Sequence, residues 1–258
     1  MSDLKAIVSD LHSNTEALYA VLDDIRRQGA KDILCLGDIV GYGPQPVECI
    51  DRSMSEFKFV LCGNHDEAVI KRAYGFHEAA ERAVNWTREV LKPRWFSMLA
   101  KKRRWEFLSN LPLQIKEDGC LFIHGSPLNA TMDYIFEADV EDSREGYSDK
   151  IQRIFEKIER LCFVGHTHTP GIVTEDPQFV SPEEGLYRYR LRPEGKTLVN
   201  VGSVGQPRDG DNRACYVLFD GEQVFYRRVP YAYRGTQEKI GHVAQLSPVL
   251  GARLRFGE

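Results

Sequence analysis

Five short apolar runs, each cut off abruptly by a polar residue, constrain this chain more than any other feature. Ala6-Ile7-Val8 leads to Ser9-Asp10, and Ile33-Leu34-Cys35-Leu36 leads to Gly37-Asp38. Residues 57–61 lead to Gly63-Asn64-His65, Leu121-Phe122-Ile123 to His124-Gly125, and Leu161-Cys162-Phe163-Val164 to Gly165-His166. Runs apolar at successive positions suit strands buried on both faces. Between them lie stretches with helical spacing. Residues 15–27 place Ala17, Leu18, Val21, Leu22 and Ile25 on one side, and residues 149–160 do the same with Ile151, Ile154, Phe155 and Ile158. Residues 46–54 predict a shorter helix, and 78–100 a long one interrupted at Pro93.

Strand–helix alternation over the first third predicts an α/β architecture with covered sheet faces. The last third differs. Residues 186–191, 197–201, 214–220 and 224–229 read as strands, with Asp220-Gly221 as a hairpin turn. They predict a second, largely antiparallel sheet packed on the first, followed by a helix over 231–243. No linker or repeat divides the chain, so one domain over 1–258 is expected, with a helical segment around 71–113. The Trp residues of that segment are expected in the core, and Lys101-Lys102-Arg103-Arg104 as a solvated turn.

Bulk properties exclude some classes. The net charge of -4 disfavours sequence-independent nucleic-acid binding, which needs a basic face. No apolar run approaches the ~18 residues of a membrane span, and the start lacks the regions of a signal peptide. A cytoplasmic protein is expected. The six cysteines form no C-x-x-C pair and sit mostly in apolar runs, so they are expected reduced and buried. The sequence leaves a homo-oligomer open.

The strand ends carry the chemistry. Asp10, His12, Asp38, Asn64, His65, His124, His166 and His168 all follow apolar runs, and the sheet should deliver them to one edge. Histidine, carboxylate and amide oxygen without thiolate suit manganese, iron, zinc, cobalt or nickel. Eight groups exceed one catalytic ion with an open position and suit two ions sharing a carboxylate. Each fragment alone has a plainer account: an N-cap for Asp10, a turn for Asp38, a helix start for Asn64-His65. Their joint occurrence does not.

Together, Asp10-Leu11-His12, Gly37-Asp38, Gly63-Asn64-His65-Asp66, His124-Gly125 and Gly165-His166-Thr167-His168 resemble the five blocks of the calcineurin-like metallophosphoesterases, in the family's order. The stretches Gly37 to Pro44 and Gly202 to Arg208 resemble a bacterial and archaeal branch of small phosphodiesterases. The resemblance implies a two-sheet β-sandwich flanked by helices. It implies two divalent metal ions, with Asp10, His12 and His168 on the first, Asn64, His124 and His166 on the second, and Asp38 bridging. A hydroxide held between the ions would attack phosphorus. His65 would act near the leaving group as general acid or phosphate binder.

Two departures stand out. The phosphoprotein-phosphatase branch carries an Asp and an Arg shortly after the Gly-Asp, where this chain has Val40-Gly41-Tyr42-Gly43. The group that would orient His65 is therefore missing, and a phosphoprotein substrate is disfavoured. Ser13 stands where relatives usually have Gly, and little effect is expected.

Tyr42, Ser203 and Arg208 are the candidate substrate contacts. The alternatives are a plain turn around Tyr42 and an ion pair of Arg208 with Asp209 or Asp211. His77 and His242 lie outside the blocks and are read as structural, although His77 could form one wall of a pocket. The expected activity is hydrolysis of a small phosphoester or nucleotide. Hydrolysis of a dinucleoside polyphosphate such as diadenosine tetraphosphate, a non-catalytic scaffold and a nuclease are the alternatives. The acidic balance counts against the last.

Overall fold

A computed structural model describes residues 4–141, 148–176 and 178–258. The chain runs β1 (Lys5–Val8), α1 (Thr15–Gln28), β2 (Asp32–Cys35), α2 (Pro46–Glu56), β3 (Phe59–Val60), α3 (Asn64–Lys71), α4 (Glu78–Leu91) and α5 (Leu99–Ser109). It continues with β4 (Gln114–Glu117), β5 (Cys120–Ile123), α6 (Glu137–Glu141), α7 (Asp149–Lys157), β6 (Leu161–Val164), β7 (Gly171–Thr174) and β8 (Phe179–Val180). It closes with β9 (Arg188–Arg190), β10 (Thr197–Asn200), β11 (Ala214–Phe219), β12 (Gln223–Val229), α8 (Tyr233–Gly241), α9 (Pro248–Ala252) and a 3-10 turn, Arg253–Arg255.

Two six-stranded mixed sheets form a sandwich, in the orders β3-β2-β1-β11-β12-β9 and β4-β5-β6-β10-β7-β8. The expected sandwich flanked by helices is present, but the last third does not build the second sheet alone. β9, β11 and β12 extend the first sheet, β1 pairing antiparallel with β11, while β10 joins β6 in the second. The hairpin over Asp220-Gly221 is as predicted; its docking onto β1 is a pairing across most of the chain, which local pattern does not encode.

The doubly apolar runs are explained by four packed layers, helices, sheet, sheet and helix, with an apolar interface between each pair. Ala6 and Val8 of β1 face the helices α1 and α2, and Ile7 faces the opposite sheet. In β11, Ala214, Tyr216 and Leu218 take the helix side, and Cys215, Val217 and Phe219 the inter-sheet side. In β6, Leu161 and Phe163 point between the sheets while Cys162 and Val164 pack beneath α7. This period of two places an apolar residue at every position of a central strand. All six cysteines are buried and unpaired.

Helix α4 stops at Leu91, just before Pro93, and α5 takes up at Leu99. The basic run Lys101 to Arg104 lies on α5, not in a turn, and Arg104 forks onto Asp51 at 2.7 Å. Trp95 is 89% exposed between the helices, so of the three Trp only Trp86 and Trp105 pack against core clusters. Among the described residues no helix is long and apolar enough to cross a membrane.

Candidate metal centre

The parallel strands β1, β2 and β3 end at one edge of the first sheet, and the parallel strands β5 and β6 end at one edge of the second. The loops after these strands meet across the sandwich. Asp10, His12, Asp38, Asn64 and His65 arrive from one sheet, and His124, His166 and His168 from the other. The sequence predicted one sheet edge; two edges share the work, because β5 and β6 belong to the second sheet. All eight side chains are buried.

The backbone there is unusual. Asp10, His12, Asp38, Tyr42, His166 and His168 all have φ between 45° and 68°, the left-handed region. Each such residue costs about 1–3 kcal/mol unless its surroundings impose it. Here they do. Asp10 N–H donates to Gly37 O, His12 N–H to Asp38 O and Gly205 N–H to Asp10 O, which laces the loops together.

The geometry has two halves. His12 Nε2 lies 3.0 Å from His168 Nε2, with Asp10 Oδ1 3.2 Å from His168 Nε2. His124 Nε2 lies 3.1 Å from His166 Nδ1 and 3.2 Å from Asn64 Oδ1. Asp38 Oδ2 stands between them, 3.7 Å from His12 Nε2 and 3.5 Å from His124 Nε2. Both carboxylates are pinned through one oxygen: His166 N–H donates to Asp10 Oδ2 and His65 N–H to Asp38 Oδ1. Their second oxygens point inward.

Hydrogen-bond partners fix the tautomers. Nδ1 of His12, His124 and His168 faces the carbonyl oxygens of Val40, Leu36 and Gln206 in turn. A carbonyl only accepts, so each Nδ1 carries a hydrogen, and in the neutral ring Nε2 turns a lone pair inward. Burial pushes the His12 and His168 imidazoles down, and their Nε2 atoms face each other at 3.0 Å. Asp10 Oδ1 is buried beside them without a hydrogen-bond partner. Burial raises the Asp10 and Asp38 carboxyls, but the surrounding imidazoles outweigh it and hold both low. Converging acceptors of this kind fit cations, and the residues present match a divalent-metal donor set.

His124 behaves differently. Burial pulls it down, yet Asp38 outweighs burial and raises it to about 9. Burial pushes His166 down to about 3 and His65 to about 4.

A family model described as "Calcineurin-like phosphoesterase superfamily domain" matches residues 4–223. The chain belongs to this superfamily. An uncharacterised protein of Methanocaldococcus jannaschii is 37% identical, with 98% of this chain and 97% of that protein covered. The crystal structure of a metallophosphoesterase from Sphaerobacter thermophilus is 33% identical, covers 100% of both chains and has a TM-score of 0.82. A hypothetical protein of Pyrococcus horikoshii, 19% identical over 99% of this chain and 98% of its own, shares the fold with a TM-score of 0.73. As a calcineurin-like phosphoesterase, the chain is a metal-dependent phosphoester hydrolase.

The phosphoesterase's remaining candidates separate. His65 sits against Tyr42 (ring centroids 4.4 Å) and Phe76 (4.9 Å), with its buried Nδ1 unpartnered. The missing orienting group is thus missing in space also. Gly41 allows this approach, since a Cβ there would collide with His65 Nδ1. Tyr42 is buried, its ring 4.7 Å from that of His12. Ser203 is not a substrate contact. It is fully buried, and its hydroxyl donates to Asp10 O at 2.9 Å and accepts from Gln206 N–H at 2.8 Å, so it holds the Asp10 loop. Arg208 makes no ion pair with Asp209 or Asp211, because Arg228 and Arg213 take those carboxylates. His77 stacks on Tyr42 at 6.4 Å in the wall of the site, and His242 ends α8 in solvent.

Sequence reasoning missed Asp66. Its carboxylate accepts from Gly63 N–H at 3.1 Å and Val40 N–H at 3.2 Å, tying the α3 start to the loop after β2. Burial, with Asp38 nearby, raises it to about 7. Its place three residues into α3 was the available signal.

Proposed function

We propose that the chain hydrolyses a small phosphoester or nucleotide at a centre of two divalent ions. Asp10, His12 and His168 would hold one, Asn64, His124 and His166 the other, and Asp38 both. The observation that supports this best is the position of Asp38 Oδ2, within 3.7 Å of His12 and 3.5 Å of His124 in separate donor groups. The donor set favours manganese, iron, zinc, cobalt or nickel. Such a pair supplies Lewis-acid charge and a water acidified for attack on phosphorus.

The protein's own groups do the rest. The backbone N–H groups that pin Asp10 and Asp38 keep both carboxylates aimed inward and ionised. His65, beside Tyr42 and 4.9 Å from the His12 ring, stands ready to take a proton when the phosphoryl group arrives and pass it to the leaving oxygen. Its own nitrogens also reach the group formed with His12 and Asp38, so its role needs a direct test. Arg208, half-buried and free of carboxylates, is placed to meet phosphate oxygens. That freedom also favours a second reading, cleavage within a dinucleoside polyphosphate, at the same centre. The six reduced cysteines fit a cytoplasmic setting.

The test is metal reconstitution followed by an ester panel: bis-p-nitrophenyl phosphate, nucleotides and dinucleoside polyphosphates. The reading expects two ions per chain by elemental analysis and turnover of at least one class. One ion at saturation sinks the dinuclear centre, and silence across all metals and esters favours a scaffold.

A further inference from the structure

Arg208 is not the only unpaired basic side chain beside the candidate metal centre. Arg208 Cζ stands 5.7 Å over the Tyr42 ring, and the residue is held from below by its backbone N–H to His168 O and by Nη2 to Gln206 Oε1 at 2.7 Å. Arg253 opens the 3-10 turn near the chain end, and its charge bears on the same tyrosine. That turn is strapped to the Arg208 loop: Gly210 N–H donates to Gly257 O at 3.0 Å, and Asn212 Nδ2 to Arg255 O at 3.0 Å. Leu250 and Leu254, flanking Arg253, line a small cavity with His12, Tyr42 and Gln206.

Neither arginine has an ion-pair partner among the described residues, and Nε of each is buried without a hydrogen bond. Glu258 bears on Arg253 from the chain end without pairing with it. Half-buried guanidinium groups with no carboxylate partner and an unsatisfied Nε suit an anion beside them. The charge of Arg208 reaches His65 and His168 at the centre, and the charges of both arginines reach Tyr42 and His77.

We propose that Arg208 and Arg253, on the two strapped segments next to Tyr42, form a subsite for a second phosphoryl group, so that this enzyme acts on phosphoesters carrying two or more linked phosphoryl groups. This deepens the reading above and rests on it. The phosphoryl group under attack sits at the centre within reach of Arg208. The next one lies between Arg208 and Arg253, where two planar forks can share its oxygens.

Calorimetry on the metal-loaded protein with AMP and with α,β-methylene-ADP tests this without turnover. Wild type is expected to bind the diphosphoryl ligand more tightly. Arg253→Gln should cost that ligand roughly 10-fold or more in affinity, the scale of a charge-assisted hydrogen bond, and cost AMP far less. Arg253→Lys should recover part of the loss. A merely structural role would weaken both ligands alike. The proposal is overturned if wild type does not discriminate, or if the ratio of the two affinities is the same in Arg253→Gln. Failure of the ester panel would instead remove the catalytic reading, whatever the affinities show.

Discussion

Asp38 and His65 lie 27 positions apart in sequence, yet Asp38 Oδ1 accepts the His65 backbone N–H at 2.8 Å. Their side chains carry opposite expectations. Asp38→Asn removes the shared charge and should weaken metal retention about 100-fold or more, seen as lost ions after dialysis. His65→Ala should keep both ions and lower kcat by roughly 10²–10⁴-fold. Loss of metal from the His65 variant would move that residue into the ligand set. His124 adds a pH dependence. In the metal-free protein its value of about 9 puts a proton where the proposed second cation would bind. Binding at pH 7 should then release a proton, and affinity should fall about tenfold per unit as pH drops below 9. Titrations in buffers of differing ionisation heat would measure it.

Residues of this kind were legible because each ends an apolar run and has the chemistry of a ligand. Ser203, Asp66 and Arg253 were not. Their roles come from what they meet after folding: the Asp10 carbonyl, the Val40 and Gly63 amides, and the Arg208 loop.

At the level of elements, α1 is fixed to the first sheet by one buried carboxylate. Asp24 accepts from Tyr216 of β11 at 2.9 Å and from both Nε and Nη2 of Arg227 of β12 at 3.0 and 3.1 Å. Burial pushes its carboxyl up, but the Arg227 fork and the Tyr216 hydroxyl outweigh it and hold the group below its ordinary 3.8. A carboxyl lowered on folding stabilises fully above its unfolded value and loses that contribution as pH falls through the folded one. Asp24→Asn should therefore cost about 1–3 kcal/mol at neutral pH and much less in acid, read from urea unfolding at each pH. An equal loss at all pH values would show that charge is not the cause. Most strands and helices could be placed from period alone. The edge strands β4 and β8, and β7 between β10 and β8, were not read, since neither edge strand shows a continuous apolar run. The partner of each strand was equally hidden, as the β1–β11 pairing shows.

For the whole molecule, the sandwich is joined at its core by apolar contacts between sheets and at one edge by the candidate ligands. Asp10 and Asp38 come from one sheet, and His124 and His166 from the other. Cations bound there should stabilise the folded state. At 100 times the dissociation constant one ion contributes about 2.7 kcal/mol, which should raise the melting midpoint by roughly 5–10 °C. A scan with and without chelator would show it. No shift in the midpoint would mean that the two edges are held in place by the protein alone.

The lacing of left-handed loops at Asp10, His12, Asp38, His166 and His168 makes the floor of the site a single mechanical unit. Such bends persist only where their neighbours enforce them, so a change in one loop should loosen the others.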